Sequence, residues 1–439
     1  MSIEITCDCG KVLHVKDELV GKRGRCPGCG NILVIARPVP SPKDIDDDLR
    51  EQPWHAPVQT YSQPREIRST ALTQPVSAAA RSMPAATAPK AAGERSRFFY
   101  LLLALALIPL AISTLHSAPD PSDDIKARMR NTLVGHPEVI EKLQALPKGA
   151  TLAEALPLFP DHRIDGALLA VDSWAHWFFA LLSAGAFFGL ILLMFPGSFD
   201  NPLKLAGVGA FTATVGILLL LIFQYVAEAT QGYWRVGFSW VTLLFYIVKF
   251  IGFSYSAAAD PDNGFVLSFI GFTLGVGLCE EFCKAMPVLF HYRNKATMSW
   301  RAACMCGLAS GAGFGVAEAI MYSSRHYNGL QGAGIYWVRF ISCVALHALW
   351  TGGAAITIHR RQGLLNNAGN WWQWLLTAAA LLAVPMVLHG LYDTLLKKEF
   401  PGWALLIAVA TFAWFCFQIE TARRSDEPDE PYPGRRALA

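Results

Sequence analysis

The sequence predicts a polytopic all-α membrane protein of eight to nine transmembrane helices, with a small β module at its N-terminus. Three observations carry this. Of the 439 residues, 53% are hydrophobic and only 16% charged, against about 25% charged in ordinary soluble domains. Mean hydropathy is +0.32. The charge is also segregated: residues 174–419 hold only 22 of the 71 Asp, Glu, Lys and Arg. These figures argue against an ordinary cytosolic enzyme and exclude a mostly disordered or fibrous chain. The net charge of +3 is too small to argue for nucleic acid.

Residues 1–37 come first. Cys7, Cys9, Cys26 and Cys29 stand in C-D-C-G and C-P-G-C-G, a hairpin's length apart. Two such pairs offer four thiolates for a tetrahedral metal. V-L-H-V and N-I-L-V-I read as short strands, and the module resembles a structural zinc ribbon. A disulfide-bonded module would need an oxidising compartment, and no signal peptide is visible ahead of the cysteines. Its lysines and arginines could make weak nucleic-acid contacts, but no base-reading element is visible, so nucleic acid is not the expected partner. A cytosolic protein is the better candidate.

Residues 38–96 are rich in Pro, Ala, Ser, Thr and Gln and read as a disordered linker. The apolar run 98–115 follows Arg95 and Arg97 and is just long enough for a membrane anchor. Residues 116–173 return to soluble composition and read as a small extramembrane domain. There, His162, Asp172 and His176 look like a solvated cluster.

Eight more apolar runs occupy the helical membrane domain 174–419: 174–195, 203–226, 236–258, 265–290, 302–323, 335–358, 374–396 and 402–419. Within lipid their backbones must be helical to satisfy their own polar groups. Arg293, Lys295 and Arg301, then Arg360 and Arg361, then Arg423 and Arg424 mark two loops and the tail 420–439 as cytoplasmic. A cytoplasmic ribbon followed by nine crossings would leave the tail outside. One run is therefore not a crossing, or two form one broken element, and the suspects precede residue 260. Lys249 and Arg339 read as snorkelling or paired. The six later cysteines read as packing residues.

Ionisable groups within lipid are costly and mark function. Four consecutive spans carry them: Glu280, Glu281 and Lys284 in C-E-E-F-C-K-A; Glu318 in F-G-V-A-E; His347 in L-H-A-L-W-T; His389 and Asp393 in L-H-G-L-Y-D-T. At 1.5 Å per residue the carboxylates and histidines lie roughly 16–28 Å from the cytoplasmic ends of their spans, in one layer. Adjacent glutamates in low dielectric can supply a base beside a protonated or lysine-paired neighbour. A neutral histidine can share a water or donate to an oxyanion. Glu and His could equally bind zinc.

E-E-x-x-K, F-G-x-x-E, H-x-x-W-T and L-H-G-x-x-D-T on successive helices resemble the PrsW-type intramembrane proteases. These lie within the superfamily of membrane CAAX-processing and bacteriocin-processing enzymes. The resemblance covers residues 265–396 and implies an endopeptidase acting on single-pass membrane substrates of the anti-sigma-factor type. It implies that Glu280 and Glu281 activate water, that His347 shares it, and that His389 and Asp393 support the transition state. Glu318 would be a metal ligand or proton relay. Both a zinc-dependent and a metal-free glutamate mechanism are known in the superfamily. The expected location is a bacterial cytoplasmic membrane, with ribbon and tail on the cytoplasmic side by the charge pattern above. The competing reading is a transporter or channel whose carboxylates and histidines relay protons.

Overall fold

A computed structural model describes residues 2–6, 12–16, 23–29, 32–34, 100–116, 121–147, 150–199, 201–294 and 297–426. Contacts divide the chain into two units: 1–85 with 143–155, and 86–142 with 156–439. In the first, β1 (Ser2–Thr6) pairs antiparallel with β2 (Val12–Lys16), and β3 (Arg23–Arg25) with β4 (Ile32–Val34). Cys7 and Cys9 lie outside the described residues, as does the linker 38–96. The amide of Gly28 points at Cys26 Sγ, 3.4 Å away.

The second unit is helical. It contains α1 (Tyr100–Leu115), α2 (Pro121–Gly135), α3 (Pro137–Gln144, ending in the first unit), α4 (His176–Met194), α5 (Pro202–Ala229) and α6 (Trp240–Ala259). After these come α7 (Phe265–Arg293), α8 (Trp300–Tyr327), α9 (Ala333–Arg360), α10 (Trp371–Leu381), α11 (Ala383–Lys397) and α12 (Pro401–Asp426). Among the described residues seven helices are long and apolar enough to cross a membrane. The α10–α11 pair, bent by 55°, makes an eighth if it is one span.

Contacts at the helix ends show which elements traverse the bundle. At one face Arg423 reaches Tyr100, Phe195 packs on Trp300, Trp300 donates to Asp426, and Arg293 stacks 3.6 Å over Trp371. Trp240 stacks on Trp372 at this same face. At the opposite face His176 meets Asn328, and Lys397 and Lys398 donate to the carbonyls of Ala259 and Pro261. The small domain joins that second face, where Arg128 donates to the Leu330 carbonyl and the amide of Ile164 to Gly329.

The segment from Phe195 to Trp240 therefore starts and ends at one face. α5 is among the seven long apolar helices, but the segment that contains it brings the chain back to the face it left. This helix packs through Thr212 against Ser310 of α8 (2.6 Å), and its end lies against α6, where a Cβ at Gly252 would meet the Ala227 carbonyl. There Lys249 Nζ donates to the carbonyls of Thr230, Gln231 and Tyr233 at 3.1, 2.6 and 3.0 Å. Tyr246 donates to the Arg235 carbonyl. Residues 230–239 thus run back along α6 with hydrogen bonds supplied by its side chains, as irregular backbone at membrane depth requires. Lys249 does not snorkel; it holds this returning segment.

The run 98–115 also departs from a simple anchor. Pro109 removes an amide and breaks the helix. Ser342 Oγ repairs the gap by donating to the Ala106 carbonyl (2.8 Å) and accepting from the Leu110 amide (3.1 Å).

The core lies where α8 meets α9. Gly311 and Gly315, four residues apart, present bare backbone to α9. A Cβ at Gly311 would collide with the His347 carbonyl. One at Gly315 would come within 2.9 Å of Val344 Cα and 3.1 Å of the His347 ring. Small residues at this spacing let membrane helices approach closely.

Candidate active site

The site is built on α7, α8, α9 and α11. On α7, Glu280 and Glu281 are neighbours, and Lys284 lies one turn on, within reach of both. Its ammonium stands 2.6 Å from Glu281 Oε1 and 3.5 Å from Glu280 Oε2. It has no solvent exposure. The face of Phe314 lies 4.7 Å away and that of Trp350 5.7 Å, positions that favour a cation.

His347 on α9 is placed by the close α8–α9 contact. Its Nδ1 is 2.9 Å from Lys284 Nζ and its Nε2 is 2.7 Å from Glu318 Oε2. An ammonium can only donate, so Nδ1 accepts and the ring proton sits on Nε2, donated to Glu318. The structure thus fixes one neutral tautomer.

His389 on α11 is placed by a second close approach, where Gly390 lies against Thr273 in a π-helical turn of α7, Phe272–Gly277. Its Nδ1 meets Glu281 Oε1 at 3.0 Å. Its Nε2 lies 3.3 Å from Asp393 Oδ2 and 3.7 Å from Glu280 Oε2. Trp350 stacks on the ring at 4.3 Å.

All seven residues singled out by sequence therefore fall in one cluster. Glu280, Glu281, Lys284, His347 and His389 are buried. Glu318 and Asp393 retain side-chain exposures of 16% and 26% and form its open side. Asp393 faces His389, while Lys397 and Lys398 are engaged by the carbonyls before α7. The outer group does not hold together. His162 pairs with Asp172 at 2.9 Å, but His176 is buried against Asn328 and is not part of a solvated cluster. Its position at the start of α4, under the α8–α9 loop, is the reason.

Arg339, read from the sequence as snorkelling or paired, is paired, but its partner was not foreseen: on a π-helical turn of α9 (Val338–Cys343), it lies 3.7 Å from Glu318 Oε1. The available signal was a lone charge in an apolar run, eight residues before His347.

The chemistry of the donor set fits a divalent metal. Glu280, His347 and His389 each offer an atom, and the three atoms lie within 4.8 Å of one another. Two imidazoles and a carboxylate form a known catalytic zinc set. Four carboxylates face only two permanent cations, Lys284 and Arg339, so protons or a divalent ion must balance the rest. Buried Glu281 Oε2 also has no hydrogen-bond partner among the described residues.

Residues 201–419 match the family model described as PrsW family intramembrane metalloprotease. This membrane domain belongs to that family. The protein is accordingly an enzyme, a membrane-embedded peptidase. The PrsW match extends beyond the four motif-bearing spans to include α5, α6 and most of α12. No curated protein and no solved structure matches the chain significantly.

Proposed function

We propose that this peptidase cleaves single-pass membrane proteins of the anti-sigma-factor type, using a water activated by Glu280 and shared with His347. The observation that supports this is the buried contact set joining Glu280, Glu281, Lys284, His347 and His389. Glu281 is held by Lys284 and His389, which fixes it as the charged anchor of the site. Glu280 is held more loosely, at 3.5 and 3.7 Å, and so is the carboxylate suited to take a proton from water. Lys284 and His389 carry donors near the position where an oxyanion would develop. Asp393 orients His389, and Glu318 keeps the His347 tautomer.

A zinc ion held by Glu280, His347 and His389 would instead polarise the scissile carbonyl and acidify water itself, with Glu280 and His389 then ligands rather than base and donor. The family's metalloprotease description favours a peptidase of either form over the proton-relay reading. In the N-terminal unit, Cys7, Cys9, Cys26 and Cys29 are assigned a second, structural zinc, with the Gly28 amide oriented to Cys26 Sγ as in a knuckle turn. The module would bind a cytosolic protein.

We place the enzyme in a bacterial cytoplasmic membrane, with N-terminal module and tail in the cytoplasm. Arg293, Arg301, Arg360, Arg361, Arg423 and Arg424 all belong to the face that carries Tyr100, which agrees with the positive-inside rule.

The deciding experiment uses the full chain with a single-pass reporter substrate in vesicles. Glu280→Gln and His347→Ala should each abolish cleavage while the protein stays folded. Normal turnover in both variants overturns the proposal. Metal analysis should give two zinc ions per chain, one lost in His389→Ala and the other in a variant lacking the four N-terminal cysteines.

A further inference from the structure

Arg339 has no role in the chemistry above, yet a guanidinium within a membrane span is costly and needs a reason. Its surroundings supply one. Nη1 faces Glu318 Oε1 at 3.7 Å, while the other oxygen of that carboxylate receives the His347 Nε2 proton at 2.7 Å. Nε donates to the Tyr327 hydroxyl at 2.7 Å. The Tyr322 ring lies 4.0 Å beneath the guanidinium, and the two tyrosine rings are themselves stacked at 5.9 Å.

We infer that Arg339 is a positioning residue for the proteolytic reaction. It holds the Glu318 carboxylate aimed at His347, and so fixes which imidazole nitrogen faces Lys284. This rests on the proposed role of His347. The π-helical turn is part of the device. Its wider winding shifts the register of the side chains that follow it, and Arg339 and His347 reach opposite oxygens of one carboxylate. The tyrosines hold the guanidinium plane, leaving its Nη1 edge for Glu318. Without the cation, Glu318 is a partly buried carboxylate with one partner. Its carboxylate is then free to turn away from Nε2, and the His347 tautomer is no longer set.

The role acts through His347, so it should appear in kcat and leave KM unchanged. Outer-shell partners of this kind are worth about 10–100-fold in activity. In vesicles, Arg339→Gln should lower kcat by about that factor at unaltered KM, and Arg339→Lys should recover part of it. Tyr327→Phe, which removes the Nε partner but leaves Glu318 paired, should stay near wild type. Nitrogen-15 NMR of the metal-stripped full chain in micelles should show His347 protonated at Nε2 in wild type and a mixture of tautomers in Arg339→Gln. His347→Ala is the reference: if it cleaves normally, the underlying mechanism fails independently of Arg339. If His347→Ala is inactive while Arg339→Gln keeps its kcat and the wild-type His347 signals, the inference is overturned. Equal losses in Tyr327→Phe and Arg339→Gln also overturn it, because they reduce the effect to packing.

Discussion

The ammonium of Lys284 donates to Nδ1 of His347 across 2.9 Å, with no water-exposed surface on the lysine. One side chain thus both neutralises the glutamate pair and orients the histidine.

Loss of that cation should cost stability as well as activity. Lys284→Met leaves Glu281 buried and charged, and removing one partner of a buried pair costs about 3–5 kcal/mol. Denaturant unfolding in micelles should report that loss. The double variant Lys284→Met with Glu281→Gln should regain much of the stability and none of the cleavage. Recovery of cleavage would contradict the roles given to both residues.

Gly311 should tolerate no side chain. Gly311→Ala forces α8 away from the His347 carbonyl, an overpacking change worth about 1–3 kcal/mol. Because the displaced backbone carries His347, kcat should fall more than stability alone explains. Gly189→Ala, where an added Cβ meets nothing within 4 Å, should leave both quantities near wild type.

Removing the Lys249 ammonium should release residues 230–239. Lys249→Met strips a donor from three carbonyls of the returning segment. Amide exchange within 230–239 should speed up markedly while exchange in α8 and α9 is unchanged. Equal protection in wild type and variant would remove the role assigned to Lys249.

The small domain should respond to acid through one surface pair. The hydrogen bond with His162 holds the Asp172 carboxyl below its ordinary 3.8. A carboxyl depressed in the folded state stabilises it above the unfolded value and loses that contribution as pH falls through the folded one. The Val171 amide, which donates to the His162 carbonyl, should therefore exchange faster relative to an unfolded peptide below about pH 4. Asp172→Asn should remove the pH dependence of that exchange.

The buried ionisable cluster was legible because lipid makes ionisable residues conspicuous. Glu280, Glu281, Lys284, Glu318, His347, His389 and Asp393 stand out against apolar neighbours, and all seven converge. Arg339 stood out equally, but its partner Glu318 lies on another helix and nothing local links them. The paths of the helices were harder to read. Hydropathy measures length and composition, and α5 has both, with 28 residues. The return of the chain from its end to Trp240 is set by Lys249 and Tyr246, whose contacts are not local. The 55° bend between α10 and α11 has one local mark, Pro385 in the first turn of α11, where a missing amide leaves the helix free to break.

The serine that mends the break in α1 couples two things beyond the break itself. Ser342 lies three residues from Arg339, in the same π-helical turn, and grips α1 on both sides of Pro109. A displacement of α1 is therefore felt at the turn bearing Arg339 through this one side chain. The repaired helix is thus a mechanical linkage, with the serine as its pivot.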